Sequence, residues 1–572
     1  MEEYVVTLRN KEDLDDFYND METPGGDLYI PDRAVDLELR RAISRNTHYM
    51  LTPEEVIELK NDPRVLGVES KAFLDLLQCE LNGYSDTGPF KRNFDSISAT
   101  DKNWGLYRHV IGANALSGEW GSDGTATITP GTNTITASGK NVDVLIVDGH
   151  ITTTAQAHPE FAVNADGTGG SRVQAFNWFS LANQLGLGPN ATYNYGTMGN
   201  ETDTNHGVHV AGTVAGNTQG WAREANIYSL EAPLSSTTNH GSSGLQSGTM
   251  WDYIREWHNT KPINSETGRR NPTISNHSYG FTISKDVFIS GPSNGYAGYD
   301  GIGQFKYRGV TFDKYGDEGS DLNNAELEAR GINVPADGNW KISSSSISYG
   351  ADIADAIADG IIIVTSAGNT YQKTVKSGDQ DYENYMYFRL GSNTSALTRP
   401  SHRSSSIGFE AATLNVGSIF VYKNDRKRID SCCGNAVDIF AAGDGIVSST
   451  LTNGFGGVQD PRNGSYYLSK IGGTSMAGPQ VAGVVALLAE SNPGLTQADA
   501  NAWIEANATT GEMFDSGTDS STDFGSLQGA PNKILRWINQ RPETGMSFPK
   551  VNAKARPTSG LVYPRPRIRK RG

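Results

Sequence analysis

Residues 471–490 read Ile-Gly-Gly-Thr-Ser-Met-Ala-Gly-Pro-Gln-Val-Ala-Gly-Val-Val-Ala-Leu-Leu-Ala-Glu. Val481, Val484, Val485 and Leu488 recur at i, i+3, i+4 and i+7, which predicts a helix with an apolar face. Gly472 and Gly473 allow a tight turn just before it. Ser475 therefore stands at a helix start, where main-chain N–H groups are unpaired and the helix dipole is positive, so negative charge arising beside it is stabilised. A lone serine in that setting is ordinarily an N-cap. Whether it is more depends on partners elsewhere in the chain.

Moving outward from this helix, short apolar runs at 144–147, 226–230, 273–275, 361–364 and 413–416 alternate with segments of helical pattern at 206–215, 250–257 and 351–358. Gly360 is placed to end the last of these helices. Continuous apolar strands separated by helices imply a parallel sheet covered on both faces, so the fold class is α/β.

Residues 1–78 differ: strand pattern at 4–8, helix pattern at 13–21, a second helix opened by Thr52, Pro53 and Glu55, and a closing strand at 65–69. They form a small α+β module that is marginal alone and leans on something larger. Residues 79–103 have linker composition, and 104–540 form the main unit. Within it, 281–340, rich in Gly, Tyr, Asp and Ser, is expected as a surface insertion. The segment 541–572 carries nine Lys or Arg against one acidic residue, interspersed with prolines, and reads as an extended tail or as a dock for an acidic surface.

The net charge of −16 over 572 residues argues against a nucleic-acid partner. No run approaches the roughly 20 apolar residues of a membrane span. The first residues lack a basic region followed by an apolar core, so a cytoplasmic or virus-particle setting is expected before classical secretion. Three cysteines exclude a disulfide framework. Cys432 and Cys433 are expected reduced, Cys79 stands apart, and zinc is not expected.

Three further residues invite chemistry. Asp148 follows the apolar run 144–147, and ligands of parallel sheets gather at the carboxyl ends of strands. His206 opens His-Gly-Val-His-Val-Ala-Gly-Thr-Val-Ala-Gly, whose small residues let a helix pack closely. Asn369 follows the run 361–364 and Ser366-Ala367-Gly368. Each alone has a plain structural reading: a turn aspartate, a structural histidine, a turn asparagine. Together with Ser475 they supply a nucleophile, a base, an acid to orient the base, and an oxyanion donor.

The motifs Gly473-Thr474-Ser475-Met476-Ala477, His206-Gly207-Val208-His209, Ser366-Ala367-Gly368-Asn369 and Asp148, in that chain order of Asp, His, Asn and Ser, resemble those of the subtilisin-like serine proteases over about residues 103–540. The resemblance implies a subtilisin-like α/β fold and a serine endopeptidase with catalytic Asp148, His206 and Ser475 and oxyanion donor Asn369. It also implies a substrate wall at Ser278, Tyr279 and Gly280, and protein or peptide substrates. Residues 1–78 are similar to the inhibitor-like propeptide of that family, implying an intramolecular inhibitor released by self-cleavage between about Glu69 and Gly88. No cofactor is required for such chemistry. Structural calcium is compatible with the family, yet no complete ligand set is readable, and Glu201 and Asp203 read as surface acids. Asp148-Gly149-His150 departs from the family pattern, and His150 is a competing candidate base. A non-catalytic binding protein on the same scaffold, or a serine esterase or transferase, are the alternatives.

Overall fold

A computed structural model describes residues 1–31, 33, 43–71, 78–81, 84–85, 103–114, 135, 137–176, 178–185, 201–232, 247–284, 299–313, 323–334, 340–390, 393–403, 407, 411–420, 424–453, 457–518 and 525–538. The basic tail at 541–572 lies outside them.

The first module runs β1 (Glu2–Leu8), α1 (Leu14–Glu22), β2 (Asn46–Leu51), α2 (Pro53–Lys60) and β3 (Val65–Ser70). Its antiparallel sheet has the order β2-β1-β3. Thr52 caps α2 as its sequence predicts: the Glu55 N–H donates to Thr52 Oγ1 and the Thr52 N–H donates to Glu55 Oε2 at 2.8 Å. Val6 and Leu8 of β1 join Phe17, Tyr18, Tyr49 and Leu59 in a small core, while Val5 and Thr7, on the opposite face, are buried as well. A three-stranded sheet buried on both faces must be docked against another element.

Two short strands, β4 (Gln78–Leu81) and β5 (Tyr84–Ser85), lead to α3 (Trp104–Ile111), β6 (Asp143–Asp148), β7 (Val173–Ala175), α4 (Trp178–Gln184), α5 (Glu201–Ala215), β8 (Asn226–Glu231), α6 (Ser247–Thr260) and β9 (Thr273–His277). Then follow β10 (Tyr279–Ser284), β11 (Tyr299–Tyr307), β12 (Val310–Asp313), α7 (Asn324–Glu328), β13 (Lys341–Ser344), α8 (Ile347–Ala358) and β14 (Ile362–Ser366). The remainder comprises β15 (Tyr385–Leu390), β16 (Asn393–Pro400), β17 (Leu414–Ile419), β18 (Ile439–Ala442), β19 (Ile446–Thr450), β20 (Val458–Asp460), β21 (Asn463–Gly472), α9 (Thr474–Ser491), α10 (Gln497–Asn507), β22 (Thr509–Thr510) and β23 (Lys533–Ile534).

The main sheet has the order β22-β23-β18-β17-β14-β9-β6-β8-β7, parallel in every pairing except β22 with β23. Successive strand side chains point to opposite faces. Val144 and Ile146 of β6 and Ile362 and Val364 of β14 accordingly share one core with Val214 of α5 and Val481 and Val485 of α9. Leu145, Val147, Ile361 and Ile363 share the other with Trp251 and Ile254 of α6 and Ile353 of α8. The continuous apolar runs are thus the signature of a sheet with helices on both faces, and the expected α/β class stands.

Three differences from the sequence reading have local causes. Helix α5 starts at Glu201, so His206 lies in its second turn rather than at its start. Helix α8 starts at Ile347, capped by Ser346, whose Oγ accepts from the Tyr349 N–H; Gly360 at φ +102° ends it. The described residues of 281–340 carry regular structure. Its strands β11 and β12 are joined by Arg308-Gly309, both at positive φ, and enter a sheet of order β12-β11-β15-β16. Phe305, Leu327 and Trp340 are fully buried. Short strands with a two-residue turn leave little periodicity to read, and their partners β15 and β16 come many residues later.

Candidate active site

The sheet order puts β14, β9 and β6 side by side and parallel. Their carboxyl ends therefore share one edge, which brings together Asp148 at the end of β6, Ser278 just after β9, and Asn369 three residues after β14.

Asp148 is fully buried and 2.6 Å from His206 through Oδ1 and Nδ1. The same Oδ1 accepts the Gly149 N–H at 2.7 Å. Gly207 makes this approach possible, because a Cβ there would sit 1.8 Å from the Gly149 carbonyl oxygen. Helix α5 can thus press against the loop after β6 and deliver the imidazole to the carboxylate. His150 is fully buried, and the ring that Asp148 holds belongs to His206.

Ser475 lies in the first turn of α9, whose N-cap Gly473 has φ +144°, a conformation that disfavours any residue with a Cβ. Pro479, four residues on, has no N–H to give to the Ser475 carbonyl. The Ser278 hydroxyl supplies that missing donor at 3.0 Å, and is itself held by Asn276 Nδ2 at 3.0 Å. In return the Ser475 hydroxyl donates to the Ser278 carbonyl at 2.9 Å. His206 Nε2 is buried without a hydrogen-bond partner. In this structure the Ser475 hydroxyl is turned to Ser278.

Asn369 is oriented by two donors. The Thr474 N–H at 2.9 Å and the Thr474 hydroxyl at 2.8 Å both point at its side-chain oxygen. A main-chain N–H can only donate, so the atom facing it is the oxygen, and Asn369 Nδ2 is the atom turned the other way. The Thr474 hydroxyl in turn accepts from the Gly368 N–H at 3.1 Å. The α9 N-terminus and an oriented amide donor together suit an oxyanion.

The strand expected as a substrate wall, β10, pairs antiparallel with β13 on one edge and with β4 on the other, Tyr279 opposite Leu81 and Gly280 opposite Glu80. Gly472 of β21, three residues before Ser475, pairs with Tyr84 of β5. Tyr279 itself is buried, its hydroxyl 3.1 Å from His277 Nδ1.

The first module docks on α8. Glu69 accepts the Ser348 N–H at 2.9 Å and the Ser346 hydroxyl at 3.0 Å, placing a carboxylate at the positive end of that helix. Asp352 accepts from Ser44 Oγ at 2.9 Å and Asn46 Nδ2 at 3.1 Å, and Arg255 of α6 donates to the Ile43 carbonyl. Sequence reasoning missed Thr474 and Ser278 as hydroxyl donors, Pro479 as the reason for one of them, and the whole contact with α8. Only Pro479 inside a helical run offered a signal.

Cys432 and Cys433 are free and buried. Among the described residues no group of three or more His, Cys, Asp or Glu is arranged to hold a metal ion, and no helix is long and apolar enough to cross a membrane.

A model of the subtilase family matches residues 139–526. The chain is similar to alkaline serine exoprotease A of Vibrio alginolyticus, at 21% identity over 89% of this chain and 62% of that protein. It is also similar to an alkaline proteinase of Hapsidospora chrysogena, at 26% identity over 59% of this chain and 53% of that protein. It thus spans between about half and two thirds of the length of these relatives. Among solved structures, fervidolysin from Fervidobacterium pennivorans, a keratinolytic enzyme related to subtilisin, aligns with 16% identity and a TM-score of 0.45 over 93% of this chain and 60% of that one. A cold-adapted subtilisin-like serine proteinase aligns with 19% identity and a TM-score of 0.39 over 77% and 99%.

Proposed function

The chain belongs to the subtilase family, and from that premise we propose that it is a serine endopeptidase, made as a precursor that its own first module inhibits. The observation that carries the reading is the buried hydrogen bond between Asp148 and His206 on the same sheet edge as Ser475. A serine hydroxyl is a weak nucleophile near neutral pH, so it needs a base. Ser475 turns from the Ser278 carbonyl to His206 Nε2, gives up its proton there and attacks a peptide carbonyl. Asp148 holds the Nδ1–H tautomer of His206 and stabilises the imidazolium. Asn369 Nδ2 and the Ser475 N–H receive the oxyanion. His206 returns the proton to the departing amine, and water releases the acyl group.

Substrates are extended peptides that add as a strand to Ser278, Tyr279 and Gly280. The inhibitory role of the first module is supported by its docking on α8 and by β4, which takes the edge of β10 that such a peptide needs. The cytoplasmic or virus-particle setting expected from the sequence finds no support in the relatives, one named an alkaline serine exoprotease and the other an alkaline proteinase.

The test compares the full chain with Ser475→Ala, using a fluorophosphonate label and casein. The unaltered chain is expected to label and to cut casein after maturation, and the variant to do neither. A matured unaltered chain that neither labels nor cleaves overturns the reading.

A further inference from the structure

The first turn of α9 is weakly tied by its own helix. Its N-cap, Gly473, offers no side-chain cap, and Pro479 lacks the N–H that a helical residue gives to the carbonyl four positions back, which here belongs to Ser475. Ser475 is fully buried, and a buried carbonyl left without a donor is costly. The donor comes from the sheet: the Ser278 hydroxyl reaches the Ser475 carbonyl at 3.0 Å. Asn276 of β9, two residues back in the chain, meets Ser278 Oγ through Nδ2 at 3.0 Å. A hydroxyl has one hydrogen, and this one goes to a carbonyl that can only accept, so Ser278 Oγ accepts from Asn276 and the atom facing it is the nitrogen. Both side chains are fully buried and lie flush with the helix. A Cβ on Gly478 would sit 3.7 Å from Asn276 Oδ1 and 3.8 Å from Ser278 Oγ, ordinary contact distances.

We propose that Asn276 and Ser278 are positioning residues for Ser475: a side-chain relay from the sheet takes the place of the missing helix bond and fixes the main chain that carries both the nucleophile and the N–H offered to the oxyanion. The inference rests on the peptidase reading above and adds to it the means by which the serine is held. Ser475 is joined to Ser278 twice, through the bond to its carbonyl and through its own hydroxyl, which donates to the Ser278 carbonyl at 2.9 Å. To attack, the hydroxyl has to leave the Ser278 carbonyl. The bond to the Ser475 carbonyl involves no reacting atom and persists while the side chain turns. The nucleophile thus swings on a main chain that is anchored from outside its helix, and its N–H stays where the oxyanion forms. Asn276 contributes at one remove, by holding the Ser278 hydroxyl in the orientation that serves Ser475.

The experiment uses Pro479→Ala to return an N–H to the helix, and with it a donor for the Ser475 carbonyl that needs no Ser278 hydroxyl. Ser278→Ala, Ser278→Thr, Asn276→Ala, Pro479→Ala and the Ser278→Ala/Pro479→Ala pair are made in the full chain. After maturation each is read for its rate of fluorophosphonate labelling, for kcat and KM on a peptide, and for Tm. Ser278→Ala is expected to label about tenfold more slowly and to lose kcat in proportion, with KM within about twofold. Asn276→Ala is expected to lose about threefold, and Ser278→Thr, which keeps the hydroxyl, to stay within about threefold of the unaltered chain. In the Pro479→Ala background the loss from Ser278→Ala is expected to shrink to about threefold or less. A Ser278→Ala enzyme with a lower Tm but an unchanged labelling rate makes the hydroxyl structural and overturns the inference. A loss confined to KM, or one of equal size with and without Pro479, overturns it as well, and these three outcomes leave the peptidase reading standing. Where Ser278→Ala does not fold or mature, Asn276→Ala decides, since it keeps that hydroxyl, and its labelling at the full rate counts against the relay. If the unaltered chain neither labels nor cleaves after maturation, the peptidase reading falls and the positioning role with it.

Discussion

At the scale of single residues, the site depends on hydrogen bonds that orient other groups. Asn369 is held by Thr474 through both its N–H and its hydroxyl. Replacing Asn369 with Ala removes the amide proposed as an oxyanion donor and is expected to lower kcat by about 10²–10³-fold, with KM little changed. Thr474→Val removes one of two bonds to the Asn369 oxygen, a net effect of about 1 kcal/mol, and is expected to lower kcat about fivefold. Steady-state peptide hydrolysis checks both, and a Thr474→Val enzyme with unchanged kcat denies that residue its orienting part. Asp148, His206, Asn369 and Ser475, the residues proposed to react, could all be picked out from motifs, because each proposed role demands one residue type. Thr474 and Ser278 could not be assigned their roles, because a hydroxyl's partner is set by neighbours distant in sequence. Ser278 serves the carbonyl that Pro479 leaves unpaired, across 197 positions.

At the scale of elements, the contact between β3 and α8 decides how firmly the first module is held. Glu69 sits at the positive end of α8 and accepts from Ser346 and Ser348. Glu69→Ala strips that helix end of its acceptor at a cost of about 0.5–2 kcal/mol, so the module is expected to leave roughly 2–30-fold more readily. The readout is the lag between self-cleavage and casein activity. A lag identical to that of the unaltered chain shows that Glu69 does not help retain the module. Strand and helix types in the main sheet were legible because apolar runs and helical periods are local. The four-stranded sheet of β12-β11-β15-β16 was not, since β11 finds β15 only after the chain has built α8 and β14.

At the scale of the whole molecule, buried histidines set the response to acid. Burial pushes His109, His209 and His277 down to about 3 and His402 down to about 4. With the folded value lowered, the unfolded chain takes up protons first as the pH falls below about 6.5. Stability is therefore fully present above that pH and is lost progressively towards pH 3, by on the order of 3 kcal/mol per histidine at pH 4. Asp355 and Asp438, raised by burial, pull the other way. The Tm of the uncleaved Ser475→Ala chain is expected to fall steadily from pH 7 to pH 4, and a flat profile over that range sinks the argument. The amino-acid sequence by itself determined the class of fold and the order of its main strands and helices, and it singled out the four residues proposed to react, because periodicity, capping and functional-group chemistry reside in neighbouring residues. Only the tertiary structure decided the parallel adjacency of β14, β9 and β6, the orientation of Asn369, the turn of the Ser475 hydroxyl towards Ser278, and the pairing of β4 with β10 and of β5 with β21. Those depend on strand pairing and hydrogen bonds between segments tens to hundreds of residues apart, which no local pattern encodes.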